Sequence, residues 1–322
     1  MITIYLDTSD YSTMSNPKIT DERIASVKKK LIDYSASGQV KFVFSSITAA
    51  EIMPLRREDI ARCHMTAQLV RELCKNHCLI NWDKLLKQEL ALLCGLTKSP
   101  CQPHGTGSIW VPGIDVSCPT NGEPVVLSGR HKNSELALST TIANFEWAIN
   151  SFGTPTDITE HYRNSLRNLG QKTATNMRGL IEYFVNSSQK TNNNAWRYNT
   201  RVMGLKLAEI FSNFFNLTPT DEVLLIDFDD VERQCPGFTT MNIACMELMW
   251  IYVGGKTKKE ILDSAFLDAL HAMYAPYVDI FRSDQSMVPH IKNGLQTAST
   301  KVVAKLLDLP SSIEDCLASK SF

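Results

Sequence analysis

Long apolar runs are missing from this sequence: none approaches the roughly 20 residues that a membrane-spanning helix requires. The N-terminus also lacks a basic segment followed by an apolar stretch and a cleavage site. These absences argue against a helical membrane anchor and lead us to expect a cytoplasmic protein. A charge excess of either sign is missing as well, with 33 Lys and Arg against 34 Asp and Glu. A near-neutral total neither supports nor excludes a polyanionic partner, because only local charge can attract one. Paired-cysteine patterning is absent too. Nine cysteines, an odd number spread from Cys63 to Cys316, suit reduced thiols better than a disulfide framework. Cys94, Cys101, His104 and Cys118 come nearest to metal spacing, but zinc sites usually carry tight pairs and only Cys101 and His104 approach one. Buried or loop thiols are the simpler reading. We find no internal repeat.

What is present is the composition of a folded protein, 43% hydrophobic and 21% charged, without the charge excess of disordered chains. Residues 2–6 form a short β-rich apolar run that ends in Asp7-Thr8-Ser9 and reads as a strand emptying into a loop. Residues 21–37 carry Ile24, Val27, Leu31 and Ile32 at helical spacing and stop before Gly38, a helix C-terminal signal. Residues 40–45 read as a second buried strand. Strand, helix, strand is the βαβ pattern, whose crossover makes parallel pairing possible, so the expected fold is α/β with a central parallel sheet.

From residue 59 to 258 the pattern turns mostly helical, at 60–77, 82–94, 136–151, 173–186 and 201–215. The Pro/Gly-rich stretch 100–130 reads as loop or short β elements, and 187–194 as a polar loop. The α/β pattern then returns with a helix at 259–273, a strand at 277–282, a short helix at 286–291 and a last strand at 301–304. The expected organisation is a discontinuous core, 1–58 with 259–322, split by a large mostly α-helical insertion, 59–258. Insertions of this kind suit loops at a sheet edge, where added chain costs little closure entropy.

Acidic residues mark the ends of the expected strands. Asp7 follows the first, Glu51 lies just after the second, Asp268 sits on the late helix, and Asp284 follows the strand at 277–282. Ligand sites of open parallel sheets form beyond the carboxyl ends of the strands, so these groups can converge there. Four crowded carboxylates repel one another, and a hard cation such as Mg2+ or Mn2+ relieves the repulsion. Such a site can activate water for in-line attack at phosphorus and neutralise charge on a phosphate. An Asp at a strand end, taken alone, is more simply a helix cap or turn residue; the argument rests on the set.

In these segments the sequence resembles the PIN-domain family of nucleases: a first strand ending in Asp7-Thr8-Ser9, an acid at Glu51 opening the second helix, and Asp268-Ala269-Leu270-His271-Ala272 leading through Pro276-Tyr277-Val278-Asp279-Ile280-Phe281 to Ser283-Asp284. The resemblance covers the two ends of the chain. It implies a PIN-like parallel sheet flanked by helices, Mg2+ or Mn2+ as cofactor, and catalytic, metal-binding roles for Asp7, Glu51, Asp268 and Asp284. It implies cleavage of single-stranded RNA by an endoribonuclease, with single-stranded DNA as second choice. Asp279 is a further candidate ligand. Thr8 or Ser9 could orient a carboxylate or water by a hydrogen bond, and His271, three residues after Asp268, could touch the site. Asp10 and Asp263 are left outside the set.

Between His161 and Lys206 eight basic residues stand against Glu182 alone. Arg163, Arg167, Lys172, Arg178, Lys190, Arg197 and Arg201, with Trp196 and Tyr198 among them, make the mixture of phosphate-neutralising charge and stacking rings that grips single strands. Solvated helix faces with core aromatics explain the pattern nearly as well. A regulatory protein or a second copy of the chain is a further partner to consider, with a toxin-like or defence role. Two rival readings are a non-catalytic PIN-like scaffold for nucleic-acid binding or assembly, and a haloacid-dehalogenase-like phosphatase using Asp227 and Asp229 after the apolar run 223–226.

Overall fold

Side-chain alternation at the front of the chain sets the central sheet. In β1 (Ile2–Tyr5), Ile2 and Ile4 are buried in one apolar cluster and Tyr5 in another, as a pleat of period two requires. The computed structural model describes residues 1–52, 59–75, 77–103, 108–111, 114–117, 127–128, 193–220, 226–253, 264–295 and 298–320. The expected helices at 136–151 and 173–186 lie outside them.

The chain passes from β1 directly into α1 (Thr8–Ser15), so Asp7 stands at a helix N-cap rather than in an open loop. Helix α2 (Glu22–Ser37) is capped by the Asp21 carboxylate, which accepts the Arg23 N–H at 2.9 Å. Gly38 closes it at φ 74°, a left-handed conformation that favours glycine. Strand β2 (Val40–Val43) then pairs in parallel with β1. Next come α3 (Ser46–Ile52), α4 (Ile60–Cys74) and α5 (Trp82–Leu93), and the Pro/Gly-rich stretch holds a small antiparallel sheet of β3 (Ser108–Val111), β4 (Ile114–Ser117) and β5 (Leu127–Ser128). Helices α6 (Asn193–Phe214), α7 (Phe228–Gln234), α8 (Pro236–Val253) and α9 (Ser264–Ala272) precede a 3-10 turn, Ala275–Tyr277, and β6 (Ile280–Arg282). The chain continues through α10 (Val288–Gly294), β7 (Lys301–Val303) and α11 (Leu309–Ser319).

The central sheet has four parallel strands in the order β2, β1, β6, β7, flanked by helices, which makes the protein α/β. Helices α1, α2, α4 and α11 cover the face that carries Ile4, Phe42, Ile280 and Val303. Helices α5 to α10 cover the opposite face, which carries Tyr5, Val43, Phe281 and Val302. Packing is continuous across residue 58. Helix α4 shares a core with α1, α2 and β2, and the Leu79 N–H donates to the Phe44 carbonyl at 2.8 Å. Among the described residues no helix is long and apolar enough to cross a membrane.

Some elements depart from expectation. The strand predicted to start at 277 starts at Ile280, because Pro276 sits in the 3-10 turn. Glu51 lies near the end of α3, not at its opening. Helix α8, within the stretch expected to be mostly helical, buries much of its circumference and so has no polar stripe to give a helical period.

Candidate functional site

The strand order contains a reversal. From β1 the chain crosses outward to β2, and from β6 it crosses outward on the other side to β7, so the switch point of the sheet lies between β1 and β6. Open parallel sheets bind ligands in the crevice beyond the strand carboxyl ends at that point. Asp7 follows β1 immediately and Asp284 stands two residues beyond β6. Glu51 arrives on α3, which follows β2, and Asp268 on α9, which packs against α3.

Charge ties the four acids together. Asp268 is pushed up to about 7, first by burial and then by Asp7, Glu51 and Asp284, with His271 opposing. Asp7 itself is held by the Ser9 N–H, which donates to its Oδ1 at 2.7 Å; it acts as helix cap and cluster member at once. The structure adds Asp10, which the sequence left aside. Its side chain is almost fully buried and pairs with Arg282 at 2.8 Å. Burial raises it to about 7 against the pull of Arg282, and Asp7 and Asp284 raise it further. An acid one helical turn beyond Asp7 on a segment expected to be a loop carried no signal of burial.

His271 is buried and joins the cluster. Its Nε2 lies 3.0 Å from Glu51 Oε2 and its Nδ1 2.5 Å from the Tyr5 hydroxyl. That hydroxyl also meets Ser45 Oγ at 2.7 Å and Thr48 Oγ1 at 3.1 Å. Burial alone would lower His271, but Glu51, Asp7 and Asp268 outweigh it and the ring is raised.

Comparison with protein-family models, with curated proteins and with solved structures finds no match to this chain. The chemistry of the site therefore rests on its own geometry.

Asp279 stands at the other end of the sheet. Its Oδ2 accepts the Thr3 N–H at 2.7 Å and its Oδ1 pairs with Lys320 at 2.6 Å, at the amino end of β6, away from Asp7. Register, not composition, removes it from the candidate ligands. Asp227 caps α7, accepting the Asp230 N–H at 2.8 Å, and Asp229 is exposed and paired with Arg201. Both acids of the dehalogenase-like reading are thus committed to helix capping and an ion pair. Of the basic set, Arg163, Arg167, Lys172, Arg178 and Lys190 lie outside the described residues, and so do the side chains of Trp196 and Arg197. Tyr198 is 68% exposed, while Arg201 also lies 3.7 Å from Glu232 and over the Phe228 ring. Of the cysteine group, Cys94 is buried and Cys101 meets Gln88, while His104 and Cys118 lie outside the described residues.

Among the described residues no group of three or more His, Cys, Asp or Glu is disposed to hold a metal ion as the side chains stand. Among the described residues, Thr8 Oγ1, Asp10 Oδ2 and Arg282 Nε, all buried near Asp7 and Asp284, have no hydrogen-bond partner. An oxygen-rich set of mutually repelling acids, flanked by unsatisfied polar atoms, fits a hydrated hard cation. Mg2+ commonly keeps several waters and takes only one or two carboxylates directly.

Proposed function

We propose that this chain is a divalent-metal-dependent nuclease, an endoribonuclease that hydrolyses phosphodiester bonds in single-stranded RNA, with single-stranded DNA as second choice. On this reading residues 1–58 and 259–322 form a PIN-like core, and 59–258 a mostly helical insertion that shares its packing. The observation that carries the proposal is the gathering of Asp7, Glu51, Asp268 and Asp284 around a strand switch point, where burial first and the three neighbouring acids second raise Asp268 to about 7.

Four carboxylates would repel a phosphodiester, so an anionic substrate can enter only with a cation between them. Asp7, Glu51, Asp268 and Asp284 would hold that ion. When bound, Mg2+ or Mn2+ supplies Lewis-acid chemistry that polarises a phosphate and offsets its charge. The chain's own residues set the frame. The Ser9 N–H fixes Asp7, and Arg282, paired with Asp10, is a buried cation that offsets part of the acid charge. Exposed Tyr198 offers a ring on which a base could stack. A cytoplasmic, specialised nuclease gated by a protein partner or by self-association, in a defence role, suits a core that carries so large an insertion better than a minimal toxin does.

The test is cleavage of labelled single-stranded RNA and DNA with Mn2+, Mg2+ or EDTA, comparing wild type with a folded Asp268→Asn variant. We expect metal-dependent cutting, RNA before DNA, and a loss of about 100-fold or more in the variant. The second reading is a non-catalytic scaffold for nucleic-acid binding or assembly. It would be upheld by a protein that neither cuts either polymer nor binds Mn2+ in calorimetry.

A further inference from the structure

A buried polar chain runs from the carboxyl end of β2, through β1, to the edge of the acid cluster. It starts at Ser45 Oγ and Thr48 Oγ1, passes through the Tyr5 hydroxyl and the His271 ring, and ends on Glu51 Oε2. We infer that His271 and Tyr5 are positioning residues that aim the Glu51 carboxylate into the site. This inference rests on the nuclease reading, since it takes Glu51 for a metal ligand.

Each link is fixed by something more rigid than itself. Tyr5 belongs to an inner strand of the sheet, fully buried, and its ring stacks on Phe281 at 5.2 Å and 2° and on Tyr274 at 5.7 Å and 23°. A phenylalanine would stack equally well, so the hydroxyl at this position serves the polar chain. Burying a hydroxyl costs free energy unless it is hydrogen-bonded, and here three partners surround it. His271 is 3% exposed and has a partner at each ring nitrogen.

The donor inventory permits a proton order along the chain that satisfies every atom. Ser45 and Thr48 hydroxyls can donate to the Tyr5 oxygen. Tyr5 can then donate to Nδ1 of the neutral ring, and in the neutral ring so bonded, as in the charged ring, Nε2 carries a hydrogen directed at Glu51. A long glutamate side chain near the end of a seven-residue helix is thereby tied to an inner strand of the sheet. Partners of this kind, which hold a ligand without touching the ion, typically tune metal affinity 10- to 100-fold.

The experiment is calorimetric Mn2+ titration of the whole, metal-free protein at pH 7.5, without substrate, for wild type, His271→Ala, His271→Gln, Tyr5→Phe and Tyr5→Phe/His271→Ala. Thermal unfolding of each variant checks that it folds. We expect affinity to fall roughly 10- to 100-fold in His271→Ala and less in Tyr5→Phe. His271→Gln should recover part of the loss, because its amide N–H can reach Glu51. The double variant should bind no more weakly than His271→Ala, because Tyr5 acts only through the ring. If His271→Ala does not fold, the loss in Tyr5→Phe relative to wild type decides the matter. Wild-type affinity in folded His271→Ala or Tyr5→Phe, or losses that multiply in the double variant, would overturn the inference and leave the nuclease reading standing. A wild-type protein that binds no Mn2+ would overturn both.

Discussion

The carboxylate of Glu89 on α5 is fully buried and receives three hydrogen bonds: from the Gly237 N–H at 2.7 Å, the Phe238 N–H at 2.9 Å and the Tyr277 hydroxyl. The two amides are among the unpaired donors that open α8, and a carboxylate there is favoured by the helix dipole as well. Burial raises Glu89 to about 7 against these three bonds, which favour the charged form. Replacing it with alanine takes the acceptor from the buried Gly237 and Phe238 amides, so Glu89→Ala should cost about 3–5 kcal/mol in chemical unfolding. Glu89→Gln should cost less, roughly 1–2 kcal/mol, because an amide offers one acceptor and turns a donor toward a donor. If the glutamine variant is as damaged as the alanine variant, acceptance by the second oxygen is not what matters.

At the scale of elements, α8 and α10 approach so closely that only glycine fits between them. A Cβ at Gly294 would lie 2.7 Å from Thr240 Cα and 3.0 Å from Thr240 O, backbone atoms that cannot swing aside. Alanine ordinarily gains about 0.5–1 kcal/mol over glycine within a helix. Here the overlap decides the sign, and Gly294→Ala should destabilise by roughly 1–3 kcal/mol in a denaturant titration. The same helix connects β6 to β7 and begins four residues after Asp284. A shift of α10 would therefore also be felt at the acid cluster, and Mn2+ affinity in this variant should fall with its stability.

For the molecule as a whole, three acids raised to about 7, Asp10, Glu89 and Asp268, set a common pH response. Each stands above its unfolded value of about 4, so between those limits the folded state binds more protons than the unfolded one. Their contribution to stability is full below about pH 4 and is lost as pH rises through 7. Asp268→Asn is neutral at every pH, so the metal-free variant should gain in unfolding temperature on wild type between pH 5 and 8. Added Mn2+ should raise the wild-type midpoint at pH 8 and leave the variant unmoved. Equal pH profiles for the two proteins would show that neither burial nor its acidic neighbours raise Asp268.

By itself the sequence determined the local structure that short-range physics dictates. The short apolar runs at residues 2–6 and 40–45, with Ile24, Val27, Leu31 and Ile32 at helical spacing and the Gly38 stop between them, were sufficient to specify strand, helix, strand and hence a parallel sheet. The positions of Asp7 and Asp284 after strands were legible for the same reason. Only the tertiary structure decided which strands are neighbours, because pairing of β1 with β6 joins residues more than 270 apart and no local pattern encodes it. That pairing puts Asp279 at the far end of the sheet, brings Arg282 onto Asp10, and sets the Tyr5 hydroxyl against His271. Burial of a polar side chain is a property of the elements packed around it. For that reason Asp10, Glu89 and the Tyr5 hydroxyl, ordinary in the sequence, became visible only in the fold.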